Sequence, residues 1–250
     1  MILFFVVLIG TLCASANPCQ PPSFVMVETK DGAAICIKRY PADGRPVLIA
    51  HGISSNHRFW DLNEQYSLAR YLSQKGFDVY NMDFRGHGNA IYDAKGVKQK
   101  SGWSIDSYGV YDIEAAVSYI SSQNPSKPSY IGHSLGGMAL ISYMGHHTSE
   151  ALSTIAVVGT PFDFQHKEAL LHLAQKGSQY AFFTVPTPFL ARLVSLFNKT
   201  PAHLDHMLWG PENIAPEIRK SLFQNIVSPM TPRELRHLYR SLDAQSYIHY

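Results

Sequence analysis

Ser134 has the surroundings of an activated nucleophile: Gly132 and Gly136 lie two residues to either side of it, within the hexapeptide Gly-His-Ser-Leu-Gly-Gly. The apolar pair Tyr130 and Ile131 precedes the hexapeptide and the apolar run Met138 to Met144 follows it, so the serine stands where a short strand turns into a helix. So sharp a turn forces its serine into a strained backbone conformation. Glycines at the flanking positions remove the Cβ atoms that would block close approach of strand and helix. The hydroxyl is thereby presented above the sheet. The helix that starts at Leu135 aims its unpaired N–H groups, and the positive end of its dipole, at the same spot. One hexapeptide thus offers a nucleophile, Ser134, and one oxyanion donor, the Leu135 N–H.

Positioning that serine requires a sheet, and the apolar patterning supplies one. Ser23 to Thr29 and Ala33 to Tyr40 read as strands joined by a hairpin turn at Lys30-Asp31-Gly32, with glycine where a positive φ is needed. Val47 to Ala50 and Asp78 to Met82 are further apolar strands, separated by a helical stretch, Ser67 to Lys75, that Gly76 stops. Helical spacing returns with Val110, Ile113, Val117 and Ile120 on one face, entered through Ser104 or Asp106. The strand leading to Ser134 and the apolar run Ser153 to Val158 follow. This alternation predicts an α/β core over residues 23–159, a mostly parallel sheet with helices on both faces. From Thr160 the character changes to prolines, helical patches and the aromatic run Tyr180 to Leu190, which predicts a helical cap over residues 160–245. Within it, Thr231-Pro232-Arg233-Glu234 has the form of a capping box with proline at the first helical position and predicts a helix over Pro232 to Leu242.

A chain of 250 residues with 46% hydrophobic content can bury a full core as one domain with an insertion. Its 21 Lys and Arg against 19 Asp and Glu give a net charge of +2 with no basic stripe interleaved with aromatics, which argues against nucleic acid as a partner. Residues 1–16 read as a signal peptide: the apolar run Met1 to Leu12 is too short to cross a bilayer comfortably, and Ala14-Ser15-Ala16 is a cleavage signature. A secreted or periplasmic protein is expected. No Lys or Arg precedes the run, so an N-terminal membrane anchor stands as the alternative. Cys13 would leave with the signal, and Cys19 and Cys36 remain either as a disulfide or as two free thiols.

The order of an apolar strand, His51-Gly52, Asp83-Phe-Arg-Gly-His-Gly88 and the Ser134 hexapeptide resembles the α/β-hydrolase superfamily, from about Phe24 to Val158. Gly102 to Tyr108, with Tyr111, Asp112, Ile113 and Ala116, resembles the stretch before the nucleophile in the acid-lipase and gastric-lipase branch. The resemblance implies an α/β-hydrolase fold and a second oxyanion donor from the loop after the strand Val47 to Ala50, for which Ile53 N–H is the candidate. His51 reads as a structural loop histidine, and Asp83 to Gly88 as a turn held by an Asp83 bond to Arg85 or to backbone. The resemblance also implies a triad in the order serine, acid, histidine, the last two on strands that follow the cap. Such strands are not found before Tyr250, so the sequence is expected to be C-terminally incomplete. Read as complete, it offers Asp163 as the acid and His166, His203, His206 or His249 as the base, with nothing in the spacing to rank them.

The function expected is that of an exported serine hydrolase of lipase or esterase type, cleaving a small-molecule or lipid ester through an acyl-enzyme on Ser134. That route needs no metal and no organic cofactor. The aromatic cap implies an apolar acyl group or contact with a membrane or lipid surface. Two alternatives stand beside it: a non-catalytic hydrolase-like binding protein that keeps the turn but has lost its acid and histidine, and an inactive fragment of a lipase.

Overall fold

The computed structural model describes residues 22–161, 187–196 and 214–244. The first strands, β1 (Ser23–Glu28) and β2 (Ala34–Tyr40), form the expected hairpin, and Gly32 at its turn has φ +80°. They are followed by β3 (Pro46–Ala50), α1 (Leu68–Gln74) and β4 (Asp78–Asp83). Ser67 caps α1 by accepting the Arg70 N–H at 3.0 Å, and Gly76 ends it with φ +91°. The strands order β1-β2-β4-β3-β5-β6, where β5 is Ser129–His133 and β6 is Ile155–Val158. The β1–β2 and β2–β4 pairs are antiparallel, while β4–β3, β3–β5 and β5–β6 are parallel.

Side-chain alternation sends each central strand into two cores. Leu48, Ala50, Tyr80, Met82 and Tyr130 face one side, and Val47, Ile49, Val79 and Ile131 face the other. The first side is covered by a helical run and by α4 (Leu135–His146), the second by Ala69 and Leu72 of α1. Each fully buried Leu, Ile or Tyr there contributes roughly 1.5–3 kcal/mol by leaving water. The sheet therefore has helices on both faces, the α/β architecture that the alternating strands and helices predict.

The helical run departs from the sequence expectation in a way that has a cause. It starts as α2 (Ile105–Ser107) with Ser104 at its N-cap, passes through a π-helical turn (Tyr108–Ile113) and continues as α3 (Glu114–Gln123). The wider turn takes up extra residues and rotates the face that follows. Ile105, Tyr108, Ile113, Val117 and Ile120 are buried, while Val110, expected on that face, is half-exposed. Gly109 sits where the run crosses α4, and a Cβ there would meet Ala139 O at 2.4 Å. The turn thus follows from packing that no local periodicity contains.

β6 lies at the edge of the sheet, and all four of its residues are exposed. Beyond it, three further helices are described: α5 (Thr187–Leu196), α6 (Pro216–Asn225) and α7 (Pro232–Asp243). The capping box of α7 is complete, with Thr231 N–H donating to Glu234 Oε2 at 2.7 Å and Glu234 N–H donating to Thr231 Oγ1 at 3.2 Å. Among the described residues no helix is long and apolar enough to cross a membrane. Residues 1–16, the predicted signal peptide, lie outside the described residues, as does Cys19. Cys36 is a buried free thiol.

Candidate active site

Ser134 joins β5 to α4 with φ 49° and ψ −111°, a conformation that side chains with a Cβ rarely adopt. Its N–H is anchored to Val158 O of β6 at 3.0 Å, and its carbonyl accepts the first bonds of α4, from Gly137 and Met138 N–H at 3.0 and 3.2 Å. The bend is possible because its neighbours have no side chains. A Cβ on Gly132 would lie 2.9 Å from Gly136 C, and one on Gly136 would lie 2.9 Å from both Ala50 O and His51 O. The result is a serine that is half-exposed, at the N-terminus of a helix whose next residue, Leu135, is buried.

The β order explains why a loop crosses this spot. β3 and β5 are neighbours, yet the chain leaves β3 toward α1 on one face and leaves β5 toward α4 on the other. Connections that diverge in this way open a crevice beyond the carboxyl ends of the two strands, which is where ligands bind in such sheets. Gly52 runs against the serine: a Cβ built on it would stand 3.3 Å from Ser134 Cβ and 2.8 Å from His133 Nδ1. Ile53 is the next residue, half-buried, and among the described residues its N–H donates to no protein acceptor.

His51 is fully buried. Its Nε2 accepts the Phe84 N–H at 3.3 Å, so the proton sits on Nδ1, which donates to Gly52 O at 2.8 Å. Burial, reinforced by His87, lowers its pKa to about 3, and it stays neutral. It ties the ends of β3 and β4 together. Asp83 is likewise structural in its bonds: it accepts the N–H groups of His57 and Asn89 at 2.6 and 2.9 Å and faces His57 Nδ1 at 2.8 Å. Burial opposes its charge, but the bonds from His57 and Asn89 and the nearby imidazoles hold its carboxyl below the usual range. Arg85 does not turn to Asp83. Its guanidinium bonds Asp112 at 2.7 Å and Asp31 at 2.9 Å, and burial lifts Asp112 to about 6 against the pull of Arg85.

Two residues, one ending β5 and one in the loop that follows β3, are not singled out by the spacing. The His133 ring stacks on Phe59 with centroids 4.3 Å apart, and burial lowers its pKa, leaving a neutral imidazole wedged against Gly52. Ser54 is the other. Among the described residues, Ser54 and Ser134 are the non-glycine positions with positive φ, Ser54 at 51°. A serine in a loop carries no sequence signal for that strain, whereas Ser134 is betrayed by its glycines. Asp163, His166, His203, His206 and His249 lie outside the described residues. Among the described residues no histidine or carboxylate is hydrogen-bonded to Ser134 Oγ. No cluster of His, Cys, Asp and Glu among them could hold a metal ion.

Comparison with known proteins agrees with this geometry. Residues 41–193, more than half of the chain, match the family described as serine aminopeptidase, S33. The chain is 27% identical over 210 residues to the human lysosomal acid lipase/cholesteryl ester hydrolase, which covers 79% of this chain and 48% of that protein. It is 28% identical over 144 residues to triacylglycerol lipase 1 of Arabidopsis thaliana, covering 53% of this chain and 36% of that one. The chain thus spans about half, or less, of the length of these curated relatives. In fold it is similar to an esterase from Exiguobacterium antarcticum, with a TM-score of 0.56 at 14% identity over 89% of this chain and 74% of that one. The matched span contains the Ser134 turn, the Gly52 loop and the sheet that sets them side by side, and the chain belongs to the serine aminopeptidase S33 (Hydrolase_4) family of lipase- and esterase-like α/β hydrolases.

Proposed function

We propose that this protein is an exported serine hydrolase that cleaves carboxylic esters through an acyl-enzyme on Ser134. The observation that carries the reading is the φ of 49° at Ser134, held at the N-terminus of α4 with the Gly52 loop pressed against it. Strain of this kind persists only where the surroundings over-determine it. Attack by Ser134 Oγ on an ester carbonyl would place negative charge on the carbonyl oxygen, and the N–H groups of Leu135 and Ile53 are the donors that would receive it. Expulsion of the alcohol leaves the acyl-serine, which water then hydrolyses. The human relative is named as an acid lipase and cholesteryl ester hydrolase and the plant relative as a triacylglycerol lipase, which favours an ester with an apolar acyl group. The exposed face of α5, with Phe189, Leu190 and Leu193, fits contact with a lipid surface. The apolar run Met1 to Leu12, and the lysosomal relative, support export, with the mature chain starting at Asn17.

An alkyl fluorophosphonate tests the nucleophile. Stoichiometric labelling that maps to Ser134 and is lost in Ser134→Ala supports the reading; a folded protein that takes no label refutes it. p-Nitrophenyl esters and an aminoacyl p-nitroanilide then separate ester from peptide-bond chemistry, a choice the S33 description makes necessary. Mass spectrometry of the secreted protein's N-terminus tests the cleavage after Ala16.

A further inference from the structure

The loop that carries Ile53 is tied to the cap at Ser54 and at Asn56. The Ser54 hydroxyl lies 2.7 Å from Ser228 O and 3.1 Å from Thr187 Oγ1, and Thr187 Oγ1 donates to the same carbonyl at 2.6 Å. The Ser228 N–H returns a bond to Ser54 O at 2.9 Å, so Ser54 and Ser228 are joined through both backbone and side chain. Two residues further on, Asn56 Nδ2 donates to Asn225 O at 3.0 Å, and Ser228 Oγ accepts the Gly88 N–H at 3.2 Å. Thr187 is the first residue of α5 and Asn225 the last of α6, and these two helices pack on each other. Ser228 and Asn56 are buried, and water has little access to compete for these bonds.

We propose that Ser54 is a positioning residue for the oxyanion hole, clamped in its strained conformation by Ser228 and Thr187 so that the Ile53 N–H before it faces Ser134. The inference rests on the reading of Ser134 as nucleophile and Ile53 as oxyanion donor. Its physical content is a balance between strain and bonding. A positive φ at a serine is unfavourable by roughly 1–3 kcal/mol, so a free loop would relax and swing the preceding peptide. The Ile53 amide would turn with it. Two hydroxyls, that of Ser54 and that of Thr187 at the start of α5, converge on one buried carbonyl, Ser228 O just past the end of α6, and supply the opposing term. Displacement of the α5–α6 pair thereby becomes displacement of an oxyanion donor.

The test compares wild type with Ser54→Ala, Ser54→Gly and Thr187→Val, using p-nitrophenyl butyrate hydrolysis, inhibition by butylboronic acid and thermal melting. The boronate adds the serine and mimics the tetrahedral oxyanion, so a lost donor weakens it in step with kcat. Loss of an oxyanion donor lowers turnover about 10²–10³-fold. Ser54→Ala, which keeps the strain and loses the clamp, is expected to lower kcat about 10–100-fold with KM changed less than threefold and boronate affinity falling in parallel. Ser54→Gly loses the hydroxyl but accepts the positive φ, so it should retain more activity than Ser54→Ala. Thr187→Val, isosteric and at the cap, should lower kcat severalfold and keeps the test open if a Ser54 variant fails to fold. Wild-type kcat and boronate affinity in Ser54→Ala or Thr187→Val overturn the clamp while leaving the nucleophile intact. A wild-type protein without Ser134 labelling or turnover overturns the reading beneath it.

Discussion

Gly136→Ala probes the contact on which the site geometry depends. The added methyl would lie 2.9 Å from Ala50 O and from His51 O, and 3.2 Å from Ala50 C, where ordinary contact begins at 3.4 Å. Relief requires a displacement of about 0.5 Å. The oxygens cannot yield easily, because Ala50 ends the central strand β3, paired on both sides, and both residues are fully buried. The start of α4 must therefore retreat, taking Leu135 N–H and Ser134 away from the Ile53 loop. Overpacking of this kind destabilises by about 1–3 kcal/mol, and the better helix propensity of alanine returns up to about 1 kcal/mol. A net loss of about 1–2 kcal/mol lowers the melting temperature by roughly 2–8 °C for a chain of this size. The effect on chemistry is larger. A misplacement of 1 Å can lower a rate about 10²-fold, so half of that predicts about a tenfold drop in the rate of fluorophosphonate labelling, measured under pseudo-first-order conditions well below the melting temperature. Labelling at the wild-type rate, with an unchanged melt, would refute the claim that contact between α4 and the β3 loop sets the site.

Ser134→Gly should melt above Ser134→Ala by about 1 kcal/mol in denaturant titrations, because only glycine adopts φ 49° without strain; equal stabilities would show that the turn is relaxed. Tyr108→Phe removes the donor that the buried Glu234 carboxylate receives from the core helix run, and a loss of about 1–3 kcal/mol is expected by urea unfolding. Asp61, bonded by Lys38 at 2.6 Å and Arg70 at 3.0 Å, is lowered from the usual 3.8 to about 2 even though burial opposes its charge. A depressed folded-state pKa means stability that is fully present above pH 4 and lost as pH falls toward 2, on the order of 2 kcal/mol. Asp61→Asn should flatten that limb of the stability curve, and an unchanged slope would contradict it. Burial, with Asp83 nearby, pushes the Cys36 thiol up to about 12, so iodoacetamide at pH 8 should alkylate Cys36 only after unfolding.

The site was legible where chemistry imposes a local pattern. Ser134 could be picked out because a strand-to-helix bend without room for Cβ atoms forces glycines at fixed offsets, and the capping box at Thr231 and Glu234 is equally local. His51 and Asp83 were legible as structural residues, although the partner of Arg85 was not: it pairs with Asp112 and Asp31, one on the π-helical turn and one in the β1–β2 hairpin. The displaced helical face at Val110 shows the same limit. Periodicity assumes a uniform helix, and the π turn accompanies a crossing with α4, a contact between distant segments.

The amino-acid sequence alone determined that an apolar strand would bend through Ser134 into a helix, since glycine spacing, apolar runs and caps act within a few residues of one another. Only the tertiary structure decided what faces that serine. The Gly52 loop reaches it because β3 and β5 are neighbours whose connections diverge, and Ser54 is held by Ser228, 174 residues away in the chain. A serine with positive φ in a loop leaves no trace in composition or spacing, because the groups that hold it come from a different part of the fold.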